Sequence, residues 1–171
     1  MSLFHSKYRI ESTRLKAWDY SSSAAYFVTL CTLNKEQYFG EIANEKMHWS
    51  PLGIAANDCW LAIPQHFPFV ELDVFTVMPN HVHGILKLDR VFANQTPQEG
   101  NIFGPQSKNL GSIMRGYKIG VTNFAKEHNI LFKWLPRFHD HIIRNEEEYL
   151  KIRNYIITNP QRWQEDKFYR K

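Results

Sequence analysis

Cysteine is scarce in this chain, long apolar runs are missing, and no internal repeat is present. Cys31 and Cys59 are the only two cysteines among 171 residues, and both lie inside apolar segments, which excludes a disulfide framework. No CxxC pair occurs, which argues against structural zinc. No run approaches the ~20 apolar residues of a membrane span, and Met1 to Arg14 is polar, unlike a signal peptide. These absences predict a cytoplasmic protein without a membrane partner. Acids are the minority, 17 against 21 Lys and Arg, leaving a net charge of +4. That charge permits a polyanion partner without demanding one. The content, 43% hydrophobic and 15% aromatic, excludes a disordered chain and fits one domain spanning residues 1–171.

The pattern along the chain predicts mixed structure. Residues 1–23 read as an irregular basic segment. Tyr26 to Thr32 is rich in β-branched and aromatic residues and reads as a first buried strand. Gln37 to Trp49 reads as a hairpin turning near Ala43-Asn44. Ser50-Pro51 supplies an N-cap and a first-turn proline for a helix to about Ile63, closed by Pro64 to Pro68. Its apolar stripe is Leu52, Ala55, Ala56, Cys59 and Ile63. Glu71–Met78 and His81–Leu88 read as strands joined at Pro79-Asn80, and residues 89–108 as a mobile loop. Leu110 to about Glu127 reads as a second helix, and Leu131–Ile143 contains the last strand, broken at Pro136. A final helix starts at Asn145, with a capping-box-like Glu148, and stops at Asn159-Pro160. The βαββαβ order predicts an α+β, ferredoxin-like (split βαβ) fold, an antiparallel sheet with two packing helices, plus the C-terminal helix.

The densest chemistry lies in Met78-Pro79-Asn80-His81-Val82-His83-Gly84-Ile85-Leu86. Side chains alternate along a strand, so His81 and His83 share one face and can share a divalent ion. An added oxygen ligand would suit Mg²⁺ or Mn²⁺. An HxH pair in a strand is equally compatible with two hydrogen-bonded core histidines. Tyr155 and Asn159 are i and i+4 on the last helix and share a face, although core packing would produce the same spacing. Tyr117, followed by Lys118, is a second candidate nucleophile. His139-Asp140-His141 repeats the HxH spacing and could join His81 and His83 in a four-histidine site or orient neighbouring groups. Arg9, Arg14, Lys16, Trp18, Arg115, Lys118, Lys133 and Arg137 have the charge or ring for phosphate and base contacts.

Four segments in order carry a resemblance: Tyr26-Phe27-Val28-Thr29, Met78 to Ile85, Trp134 to Arg144, and Tyr155 to Pro160. Together they resemble the HUH-type single-tyrosine transposases of the IS200/IS605-like group, and within it the REP-associated tyrosine transposase branch. The resemblance implies a metal-dependent nickase and strand transferase acting on single-stranded or hairpin DNA. It implies that His81 and His83 hold Mg²⁺ or Mn²⁺ against the scissile phosphate, that Tyr155 attacks, and that Asn159 completes the metal site. Insertion-sequence members commonly carry Gln there, whereas Asn159-Pro160 resembles the REP-associated branch. Attack would leave a covalent 5′-phosphotyrosine and a free 3′-hydroxyl. The insertion-sequence relatives imply a homodimer and the REP-associated ones a monomer. Two other readings fit the same residues: a DNA-hairpin-binding protein impaired in cleavage, and a small metallophosphoesterase built on a histidine cluster.

Overall fold

In the computed structural model residues 24–89 and 109–170 are described. Strand β1 (Ala24–Cys31) leads through a short 3-10 turn to β2 (Gly40–Ala43) and β3 (Lys46–Trp49). These two form a separate hairpin, closed by Asn44 and Glu45 with φ of 50° and 60°. Two successive positive φ values match the twist of a tight hairpin, so the turn sits one residue beyond the expected position.

Helix α1 (Pro51–Leu61) begins where expected, the Ser50 hydroxyl accepting the Gly53 amide at 3.1 Å. Its end corrects the sequence expectation. The chain breaks at Ala62 and makes another turn, α2 (Ile63–His66), with Pro64 in its first turn. Proline is harmless there, because its missing N–H would have no helical partner. Strands β4 (Val70–Met78) and β5 (His81–Leu88), helix α3 (Leu110–Glu127), strand β6 (His139–Ile143) and helix α4 (Glu146–Thr158) complete the order. The broken last strand is only β6; before it, Trp134 makes an isolated bridge to Thr32.

The four long strands form one antiparallel sheet in the order β4-β5-β1-β6. This is the split-βαβ arrangement. Its two faces are covered differently. Tyr26, Val28, Leu30, Val82 and Leu86 point to the face under α1 and α3, in a core with Trp60, Ile113, Met114 and Val121. Each such side chain contributes roughly 1.5–3 kcal/mol by leaving water. Trp60 replaces Cys59 as the main anchor of α1: it is fully buried, whereas Cys59 is half-buried. On the opposite face, α4 lies across β4 and β5, above His81 and His83. Ile156 is buried beneath it, and Asp73 of β4 holds Tyr149 by a short hydrogen bond and Arg153 at 3.6 Å.

The start of α4 differs from a capping box. Asn145 Oδ1 accepts the Glu148 amide at 2.9 Å as expected. Glu148 Oε2, however, accepts the amide of Arg144 at 2.8 Å, and Oε1 meets His141 Nε2 at 2.6 Å. His141 therefore orients the first turn of α4 and has no contact with the histidine pair in the structure. The helix stop also differs in detail. Asn159 keeps helical angles, φ −58° and ψ −40°, and regular hydrogen bonding ends because Pro160 has no N–H to give.

Candidate metal and tyrosine site

The β5 register sets His81 and His83 on one face with ring centroids 4.4 Å apart. Both are almost completely buried. Asn80 fixes the first of them. Its Nδ2 donates to the carbonyls of Lys35 and Phe168, at 3.1 and 2.9 Å, so its Oδ1 is the acceptor of the 2.8 Å bond from His81 Nδ1. That leaves a lone pair on His81 Nε2, which is buried without a partner. On β1, Thr29 Oγ1 holds His83 Nδ1 at 2.8 Å, leaving Nε2 to face Tyr155. Backing the far nitrogen of a histidine in this way is how proteins orient imidazole ligands.

Helix α4 delivers Tyr155, whose hydroxyl lies 3.2 Å from His83 Nε2 and donates to Asp166 Oδ2 at 3.1 Å. One turn on, Asn159 Nδ2 donates to the same Asp166 oxygen at 2.6 Å, and Asn159 Oδ1 is buried without a partner. The structure thus brings together all four residues selected from the histidine and tyrosine motifs. It adds Asp166, which sequence reasoning missed. Donor atoms of His81, His83 and Asp166 lie within 4.8 Å of one another, and this group could hold a metal ion. Two imidazoles, a carboxylate and a carboxamide oxygen suit a divalent cation, and two lone-pair atoms buried without donors are what such an ion would satisfy.

Asp166 lies beyond the helix stop, after a 3-10 turn at Trp163–Glu165. It carries no periodic signal; the aromatics around it, Trp163, Phe168 and Tyr169, are the sequence cue that this tail packs back. The Phe168 ring lies tilted against His81 with centroids 4.5 Å apart, and Trp163 lies 6.0 Å away. Burial holds the pKa of His81 down at about 3 and that of His83 well below its usual value. The Tyr155 phenol is pushed well up, by burial first and then by the Asp166 charge.

Those histidines make stability pH-dependent. Their folded pKa values are depressed, so the unfolded chain takes up protons that the folded chain refuses. Stability is therefore full above pH ~6.5 and falls as pH drops towards the folded values, by up to about 1.4 kcal/mol per histidine per pH unit. Urea unfolding of chelator-treated protein at pH 7 and pH 5 checks this; equal midpoints would contradict neutral buried imidazoles.

Other candidates separate from this site. Tyr117 is buried in the opposite face, its hydroxyl without a partner, against Trp60 and Trp134, which removes it as a nucleophile open to substrate. Arg115, Lys118 and Arg137 meet at a groove of about 430 Å³ along α3, joined by Lys126. Lys118 is partly committed there: it donates to the carbonyls of Leu135 and Arg137, and burial lowers its pKa to about 8. Lys133 is exposed and not part of that groove. Arg9, Arg14, Lys16 and Trp18, and the loop from residue 90 to 108, lie outside the described residues. Among the described residues, no helix is long and apolar enough to cross a membrane.

No family model matches the chain. An uncharacterized protein of Haemophilus influenzae is 40% identical over 170 residues, covering 92% of each chain. The solved structure of a REP-associated tyrosine transposase bound to a REP hairpin covers 91% of this chain and 74% of its own, at 19% identity and a TM-score of 0.58. The chain therefore belongs to one family with the Haemophilus influenzae protein, and its fold is that of the REP-associated tyrosine transposase.

Proposed function

We propose that the protein is a metal-dependent tyrosine nuclease and strand transferase acting on single-stranded or hairpin DNA. One observation carries this reading: Tyr155, on a helix, meets His83 Nε2 at 3.2 Å beside a second buried imidazole and a carboxylate. A core tyrosine would not need that company. The hairpin as substrate follows from the neighbour of like fold, which was solved with a REP hairpin. The cationic groove along α3 is the phosphate track this reading assigns to the DNA.

In the reaction the Tyr155 oxygen forms a bond to phosphorus as the bond from phosphorus to the 3′ oxygen breaks. The products are a 5′-phosphotyrosine and a 3′-hydroxyl. The phenol proton leaves along its existing hydrogen bond to Asp166 Oδ2, and the departing 3′ oxygen takes a proton from solvent. His81, His83 and Asp166, with Asn159 beside them, would hold Mg²⁺ or Mn²⁺. When bound, that ion supplies charge neutralisation at the phosphate oxygens and offsets the Asp166 charge that keeps the phenol protonated. Phe168 and Trp163 pack beside His81 and exclude water from that side of the pair.

The test is a labelled oligonucleotide, hairpin or single-stranded, incubated with the protein and Mn²⁺ and run on a denaturing gel. A covalent protein–DNA band that a chelator prevents supports the reading; cleavage without an attached strand favours a phosphoesterase, and binding without any cleavage favours a binding protein. The third ligand has its own expected result. Asp166→Ala weakens Mn²⁺ binding, measured calorimetrically, by about tenfold or more, and by more than Asn159→Ala does. The opposite ranking would return the third position to Asn159.

A further inference from the structure

We propose that Arg162 binds the non-bridging oxygens of the scissile phosphate, a role that rests on the tyrosine-nuclease reading. Beside Tyr155 lies a cavity of about 110 Å³, lined by Tyr155, Asn159, Arg162, Glu165 and Asp166. A phosphodiester entering it meets two carboxylates, and Arg162 is the one cation in that lining. An anion placed so close to like charges needs a compensating group on the same wall.

The residue is built to serve. Its backbone amide donates to the carbonyls of Thr158 and Asn159, at 3.2 and 3.1 Å. Its Cα is therefore fixed to the end of the helix that carries Tyr155, and the nucleophile and the cation share one rigid support. The guanidinium is largely exposed and holds Glu165 through Nε and a terminal nitrogen, both at 3.1 Å from Oε2. A planar fork of N–H donors matches phosphate as well as carboxylate. An exposed pair of this kind is worth little, so an incoming phosphate can displace Glu165 readily. Glu165 keeps the fork in place until then and competes with the substrate for it.

The full chain, Mn²⁺ and a labelled hairpin with a single-stranded flank give the first measurement. Under single-turnover conditions Arg162→Gln slows adduct formation by about 10²-fold, leaving hairpin affinity within about threefold, and Arg162→Lys recovers part of the rate. Glu165→Gln, which removes the competitor, speeds the same step. A full rate in Arg162→Gln overturns the proposal. So does a parallel loss in Glu165→Gln, since the pair would then only brace the tail. A second measurement does not depend on cleavage. With Mg²⁺ present, inorganic phosphate titrated into the Tyr155→Phe protein shifts the Arg162 Nε–H resonance and saturates it. No shift counts against Arg162 whether or not the chain cuts DNA. A shift in a chain that forms no adduct counts only against the nuclease reading.

Discussion

Under the proposed function, replacing Tyr155 with phenylalanine is expected to remove covalent DNA attachment and to leave the fold standing. The phenyl ring retains its packing, 5.2 Å from the His83 ring and 6.3 Å from Phe27. What disappears is one oxygen, which in the folded protein bonds His83 Nε2 and Asp166 Oδ2. Losing a part-buried hydrogen-bonded hydroxyl costs about 1 kcal/mol of stability. The chemical loss is far larger, because the other hydroxyl that touches the pair, Thr29 Oγ1, sits on His83 Nδ1 and leaves only Tyr155 at Nε2. Adduct formation therefore falls to the background of the assay. Tyr117→Phe is the control. Its hydroxyl is buried without a partner, so its removal leaves no donor stranded and keeps the adduct. An adduct that survives in Tyr155→Phe and vanishes in Tyr117→Phe would overturn the assignment.

Gly84→Ala strikes the fold through the same strand. Gly84 faces away from the histidines, and a Cβ there falls inside the Trp60 indole, 2.8 Å from Cη2 and 3.0 Å from Cε2. Trp60 cannot step aside, since it is stacked on Phe75 at 5.6 Å and edge-on to Tyr117 at 5.2 Å. Overpacking of this kind costs about 3 kcal/mol. Urea titration reads it as a lowered midpoint with an unchanged slope. The double variant Gly84→Ala with Trp60→Leu regains part of the loss relative to the sum of its single changes, because the clash is then gone. Strict additivity of the two changes would mean that the ring and the glycine do not meet.

The histidines were legible because a strand has a period of two and a motif of nine residues contains both the turn and the pair. Tyr155 and Asn159 were legible as a face because a helix stacks i on i+4. Whether that face met the histidines was not, since strand and helix lie far apart in sequence and spacing within each says nothing of their docking. The docking follows from Asp73 gripping Tyr149 and Arg153, and from Ile156 beneath them. Asp166 was illegible for a different reason: it sits in a non-repeating tail, where no periodicity marks which side chain turns inward. Glu148, expected as a capping partner, instead serves the Arg144 amide and His141 of the adjoining strand, a long-range contact that local spacing does not reveal. Helix α3 spans Leu110–Glu127 as expected, in spite of the weakening glycines Gly111, Gly116 and Gly120, whereas Pro64, expected to stop a helix, lies at the start of one.

Thr29, Asn80, His81, His83, Tyr155 and Asp166 are joined by side-chain contacts spread over most of the described chain. The central strand, β1, pairs with β5 and β6, neither of which is near it in sequence. Such topology closes more slowly than a bundle of local helical contacts, because distant segments must meet before any contact rewards them. During synthesis the histidines therefore leave the ribosome well ahead of the carboxylate and the tyrosine that complete them. A nascent chain has no assembled group of imidazoles, phenol and carboxylate, and under the proposed function it gains competence toward DNA only once α4 and the segment through Asp166 have docked.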